Sequence, residues 1–150
     1  MNWDLLDILA FGVMVAVVAI ILVLARRRAP NRAYNIAAAV AAAGAFLLVW
    51  INGAVGIIGN EENEANFLFF GVLAVAAAGA VIARFRARGM AIALYATAGA
   101  QVLVAALAIT MRLGASGPIW PRGILALTLM FASLWLVSGW FFGRAARNER

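Results

Sequence analysis

The chain has 150 residues, 67% of them hydrophobic and only 12% charged, where a soluble domain carries about twice that charged fraction. It has no Cys, no His and no Lys, and its net charge of +6 comes from twelve Arg against six acidic residues. These absences exclude disulfides and thiolate chemistry, the usual imidazole metal or haem ligand and general base, and Schiff-base cofactor sites.

A bilayer core about 30 Å thick needs about 20 apolar residues per helix. Five segments meet that requirement and take up most of the chain. The sequence therefore predicts an all-α fold: one transmembrane domain, 1–150, built as a bundle of five helices. The first span runs over 8–25, with Asp4 and Asp7 before it and Arg26, Arg27, Arg28 and Arg32 after it. A signal peptide has the opposite polarity, with a basic start and a shorter apolar core, so this segment reads as a retained anchor. The second span covers 35–55 and the third 67–83, separated by the polar loop GIIGNEENEAN from Gly56 to Asn66. Arg84, Arg86 and Arg88 precede the fourth span, 89–111. A Gly- and Pro-containing loop then breaks the helix before the fifth span, 124–142.

Arg and Lys accumulate in cytoplasmic loops because they are poorly translocated. With the amino terminus outside and the carboxyl end inside, ten Arg fall inside and only Arg112 and Arg122 outside. Five of the six acidic residues then fall outside. The expected location is the bacterial inner membrane, multi-pass. The basic net charge does not indicate nucleic acid, because the arginines sit at helix ends with no polar domain to present them. They are expected to attract anionic lipids at the cytoplasmic face.

Inside a bilayer, close packing rather than the hydrophobic effect joins helices, and small residues permit it. The second, third and fourth spans hold eight, six and eight Ala, against four and two in the first and fifth. Spans two to four are therefore expected to form the tight centre, with Gly71, Gly79, Gly89 and Gly99 as approach points. The competing reading is that abundant Ala, like the exclusive use of Arg, reflects a GC-rich genome. Trp3, Trp50, Trp120 and Trp140 lie near span ends, the position of an interfacial aromatic belt. The hairpins formed by spans two–three and four–five could be a parallel repeat, though their side chains match poorly beyond Ala.

The candidate functional locus is Trp50, Asn52, Glu61, Asn63 and Asn66, with Gln101 deeper in the membrane. If the second helix continues, Gly53, Gly56 and Gly59 form one smooth face. Glu61, Glu62 and Glu64 have the chemistry to gather a divalent cation with Asn oxygens. They equally complement the positive end of span three, with Asn63 or Asn66 as its cap. No spacing of a dedicated calcium loop is present, and no metal or cofactor site is expected. Gln101 should face another helix, because a buried amide needs a partner. Thr97 lies one turn earlier on the same face. No ionisable residue lies mid-span, which argues against a proton-coupled pump.

The run WINGAVGIIGNEENEANFLFFGVLAV, with the later IARFRARGMAIALYATAGAQ, resembles a group of small uncharacterised bacterial inner-membrane proteins. That group carries Trp-x-Asn, then AVGIIG, then an acidic Asn-containing loop, which is more acidic here at Glu62 and Glu64. The resemblance covers roughly 31–104. It implies a multi-span membrane protein and no particular activity.

The expected function is non-enzymatic: an accessory or self-assembling membrane protein, as a homo-oligomer or part of a larger membrane complex. The alternative is an oligomeric channel or facilitator for an ion or small solute, lined by Asn52, Thr97, Gln101 and Thr110 if these align. A lipid enzyme would need a clustered nucleophile, base or metal site, and none is visible.

Overall fold

A computed structural model describes residues 4–29 and 31–150. Five helices account for most of them: α1 (Leu5–Arg28), α2 (Arg32–Ala54), α3 (Leu68–Ile82), α4 (Ala87–Thr110) and α5 (Arg122–Asn148). A 3-10 turn, Glu64–Phe67, leads into α3. No strand occurs among the described residues. All five helices, α3 taken with its leading turn, are long and apolar enough to cross a membrane.

The helix starts follow from local capping chemistry. Asp4 and Asp7 form a reciprocal capping box on α1, which satisfies two N–H groups that no carbonyl in the helix can reach. Asn31 caps α2 by accepting from the Ala33 amide at 2.9 Å. Its own amide donates to the Ala145 carbonyl, which ties the start of α2 to the end of α5.

The helices α2 to α5 run alternately in opposite directions around a ring. Helix α5 packs most extensively on α4 and then on α2; α3 packs on α4, and the α2–α3 side is the loosest. Helix α1 lies outside the ring against α2. It buries only Ala25 fully, with Met14, Val18 and Leu22 half-buried at helical spacing along one stripe. The unequal packing of the α2–α3 and α4–α5 hairpins lends no support to an internal repeat.

This arrangement corrects the expectation that spans two to four form the centre. Helix α5 is central and α3 peripheral. Along α5, Ile124, Thr128, Phe131, Trp135, Ser138, Phe142 and Ala145 are buried, spaced alternately by four and three. Along α4, Ala87, Met90, Leu94, Thr97, Gln101, Val104 and Ala108 follow the same alternation. Seams of this spacing suit knobs-into-holes packing, and α4 and α5 form the most extensive helix pair. Alanine abundance misleads because Ala74, Ala77 and Ala78 of α3 are exposed. A small residue permits a close approach but does not compel one.

The glycines divide in the same way. Nothing lies within 4 Å of where a side chain would start at Gly71 or Gly99. Gly79, in contrast, lies directly against Ala93, and Gly89 against Ala83. On α2, a Cβ added at Gly44 would stand 2.9 Å from the Trp135 ring. Gly44 is thus the recess that admits the largest buried side chain of the core.

The turn between α3 and α4 is strained. Arg84 and Phe85 adopt φ of 51° and 58°, the left-handed region that costs a non-glycine residue about 1–2 kcal/mol. Other segments hold both carbonyls: Arg28 donates to Arg84 O at 2.8 Å, and the Tyr34 hydroxyl donates to Phe85 O at 2.7 Å. This end of the bundle also carries the ends of α1 and α5, so most of the arginines gather here.

Gly44→Leu forces the Trp135 ring out of its recess and should lower stability by about 1–3 kcal/mol, read as a lower thermal midpoint in detergent. Tyr34→Phe removes the bond to Phe85 O with little change in volume and should cost about 1 kcal/mol in the same assay.

Candidate functional site

The opposite, acidic end of the bundle is organised by two asparagines. Asn66 is 5% exposed, and its carboxamide is fully used. Its Oδ1 accepts from the Ile57 and Ile58 amides at 2.9 and 2.8 Å. Its Nδ2 donates to the Ile58 carbonyl at 3.3 Å and to the Asn60 carbonyl at 2.6 Å. One side chain thereby folds the loop after α2 back on itself and drives Ile57 and Ile58 into the core. Asn52, at the end of α2, donates from Nδ2 to the Asn66 carbonyl at 2.9 Å. Asn63 caps the 3-10 turn by accepting from the Ala65 amide.

The smooth glycine face does not form, because α2 stops at Ala54. Gly56 and Gly59 instead take φ of 70° and 74°, a conformation glycine adopts without steric cost. A side chain at Gly56 would collide with the backbone of Asn60. Gly59 packs against Gly114 and Gly117 of the α4–α5 loop, so the two loops at this end meet backbone to backbone. Gly53 faces open space.

The carboxylates do not share in this network. Glu61, Glu62 and Glu64 are exposed. Among the described residues, no group of three or more acidic side chains is placed to hold a metal ion. The loop is therefore a braced platform that turns its amides inward and its negative charge outward.

Trp50 stacks on Phe46 and takes the edge of Phe11 at 5.3 Å, which anchors α1 to α2 near this end. Trp140 and Trp120 each lie beneath an arginine, Arg144 and Arg112, at 5.5 Å. Trp3 lies outside the described residues.

Gln101 stands apart from the other five candidates. It is completely buried on α4, and its Oε1 accepts from Trp135 Nε1 at 3.2 Å. It faces another helix, as its chemistry requires. Trp135 packs on Gly44, about two helical turns from Asn52, so Gln101 and the Asn66 network occupy different levels of the bundle. Thr97 is also buried, but its hydroxyl donates back to Ala93 O in its own helix. Thr110 is exposed and bonds likewise to Ala106 O. Of the four polar residues expected to line a path, Asn52, Thr97 and Gln101 are buried and Thr110 is exposed. Among the described residues, buried atoms without a hydrogen-bond partner are Asn35 Oδ1, Asn52 Oδ1, Gln101 Nε2, Trp120 Nε1 and Thr128 Oγ1.

Sequence reasoning missed Trp135 and Ser138. The Ser138 hydroxyl donates to Ala37 O of α2 at 2.8 Å, a bond between helices. The signal available was the alternation of four and three from Ile124 to Ala145, which sets both residues on the seam.

No family model, curated protein or solved structure matches this chain. The resemblance of the segment from Trp50 to Val75 therefore carries no family assignment.

Asn66→Ala strands two buried amides, each costing about 1–3 kcal/mol. It should depress the thermal midpoint sharply. Glu61→Gln, Glu62→Gln and Glu64→Gln should each stay within about 0.5 kcal/mol of the parent. Comparable losses in both sets would show that the carboxylates bear on the fold.

Proposed function

We propose that this chain is a non-enzymatic, multi-pass protein of the bacterial inner membrane that works by association. Its amino terminus lies outside and its carboxyl end inside. It serves as an accessory subunit of a larger membrane complex or assembles with itself. The observation that carries this reading is α1. This helix is 24 residues long, uses one narrow stripe to meet α2, and leaves most of its Val, Ile and Leu side chains exposed. A bundle already closed by α2 to α5 gains little from so sparsely packed a helix. A helix that receives a neighbour in the bilayer has this form.

Two further features agree. The acidic end uses the Asn66 carboxamide and the Asn52 amide nitrogen in internal hydrogen bonds. Its outward carboxylates and braced loops form a rigid charged surface at the same end as the start of α1.

The alternative, an oligomeric channel or facilitator for an ion or small solute, draws on the unpartnered atoms of Asn52, Gln101 and Thr128. It draws less support overall, because Thr97 and Thr110 direct their hydroxyls into their own helix.

The chain has no cysteine, so single introduced cysteines report contacts cleanly. Val17→Cys on the exposed side of α1 should give a cross-linked adduct in native membranes, either with a second copy or with a partner of another mass. Leu129→Cys on the exposed side of α5 should give much less. Equal or no adduct at both sites would remove α1 as the association element. Reporter fusions at both termini check the orientation.

A further inference from the structure

Two grooves open at the Arg-rich end, on different sides of the last turns of α5. The larger, about 740 Å³, has Arg28, Arg32 and Arg144 in its lining, but also Glu149. The smaller, about 380 Å³, lies between the first turns of α4 and the last turns of α5. Its charged residues are Arg88, Arg147 and Arg150, and no acidic side chain lines it. Three arginines border it.

The rest of this smaller groove is apolar and narrow. Ala91, Gly143, Ala146 and the exposed Ile92 complete its lining. A Cβ at Gly143 would stand 3.9 Å from Arg147 Nη1 and 4.0 Å from Ala91 Cβ. The missing side chain thus leaves a notch open beside a guanidinium. Arg88 precedes Ala91 and Ile92 by one turn, and Arg147 follows Gly143 by one turn. The cations therefore crowd toward one end of the groove, and the hydrocarbon surface continues from them toward the middle of the helices. Helix α4 also begins here without a side-chain cap, so its first free N–H groups and the positive end of its dipole favour an anion at this level.

Arginine suits a phosphate better than a generic anion. Its planar guanidinium keeps its charge, is weakly hydrated and offers paired donors to two phosphate oxygens. A ligand with a phosphate at one end and hydrocarbon at the other matches both parts of the groove. We propose that the α4–α5 groove binds one anionic phospholipid. Its phosphate lies against Arg88, Arg147 and Arg150, and an acyl chain lies along Ala91, Ile92 and the Gly143 notch. This inference rests on the reading of the chain as a membrane protein, and it replaces diffuse attraction at all the arginines with one shaped site.

The test reconstitutes the full chain in nanodiscs of phosphatidylcholine with a minor fraction of phosphatidylglycerol. Native mass spectrometry then identifies the lipid retained after release. The parent chain should keep a single phosphatidylglycerol in preference to phosphatidylcholine. An arginine near an anionic surface contributes about fivefold, so Arg88→Gln with Arg147→Gln should lose about 25-fold of that preference. Gly143→Leu fills the notch without removing charge and should also lose it, with helical content by circular dichroism confirming the fold. Arg26→Gln with Arg27→Gln removes the same charge from the end of α1, off the groove, and should keep the preference. Retention by Gly143→Leu, or equal loss in the two arginine pairs, overturns the site in favour of diffuse electrostatics. Displacement of the lipid by added glycerol 3-phosphate would identify a soluble phosphate ester as the ligand and overturn the lipid assignment. A chain that inserts but shows no preference overturns the site alone. A chain that carbonate extracts from vesicles overturns the membrane reading as well.

Discussion

Trp135 joins three helices. Its ring rests in the recess left by Gly44 on α2, and its indole N–H donates to Gln101 on α4. An indole inside a bundle requires room for its bulk and an acceptor for its polar edge. Each neighbour supplies one of these. The alternating seams of α4 and α5 extend from this junction in both directions, and the Ser138 bond to Ala37 O repeats the α2–α5 link toward the Arg-rich end. Helices α3 and α1 are then added to the outside, on α4 and α2 respectively.

The two ends of the bundle solve one problem with different chemistry. Wherever a helix stops, backbone groups are left without partners inside it. At the acidic end, the Asn66 carboxamide collects the loose amides and carbonyls of the preceding loop. At the Arg-rich end, the left-handed turn at Arg84 and Phe85 directs its carbonyls to Arg28 and Tyr34, and Asn31 reaches the carbonyl of Ala145. The first end turns its charges away from its network. The second uses one arginine inside its network and leaves others lining two grooves.

The candidate site was legible in its ingredients and not in its assembly. Asn63 as a cap could be read from its place before an apolar helix, because capping is local. Asn66 as the centre of a loop could not, because its four partners depend on how the loop folds back. The run Gly53, Gly56, Gly59 suggested a helical face by its spacing, yet positive φ at two of the three positions breaks the helix there. Spacing carries information only once the helix is known to continue. Gln101 was legible as a residue that needs a partner, while the identity of that partner, 34 positions away, depended on packing.

The sequence by itself determined the number of helices, their approximate limits and the separation of arginines from carboxylates. These are set by runs of apolar residues, by caps and by breakers, all of which act within a few positions. Only the tertiary structure decided which helix lies at the centre. Alanine content favoured α3, but side-chain size along a seam and the pairing of one recess with one indole selected α5. The complement of each surface lies on another helix, so no single segment records it.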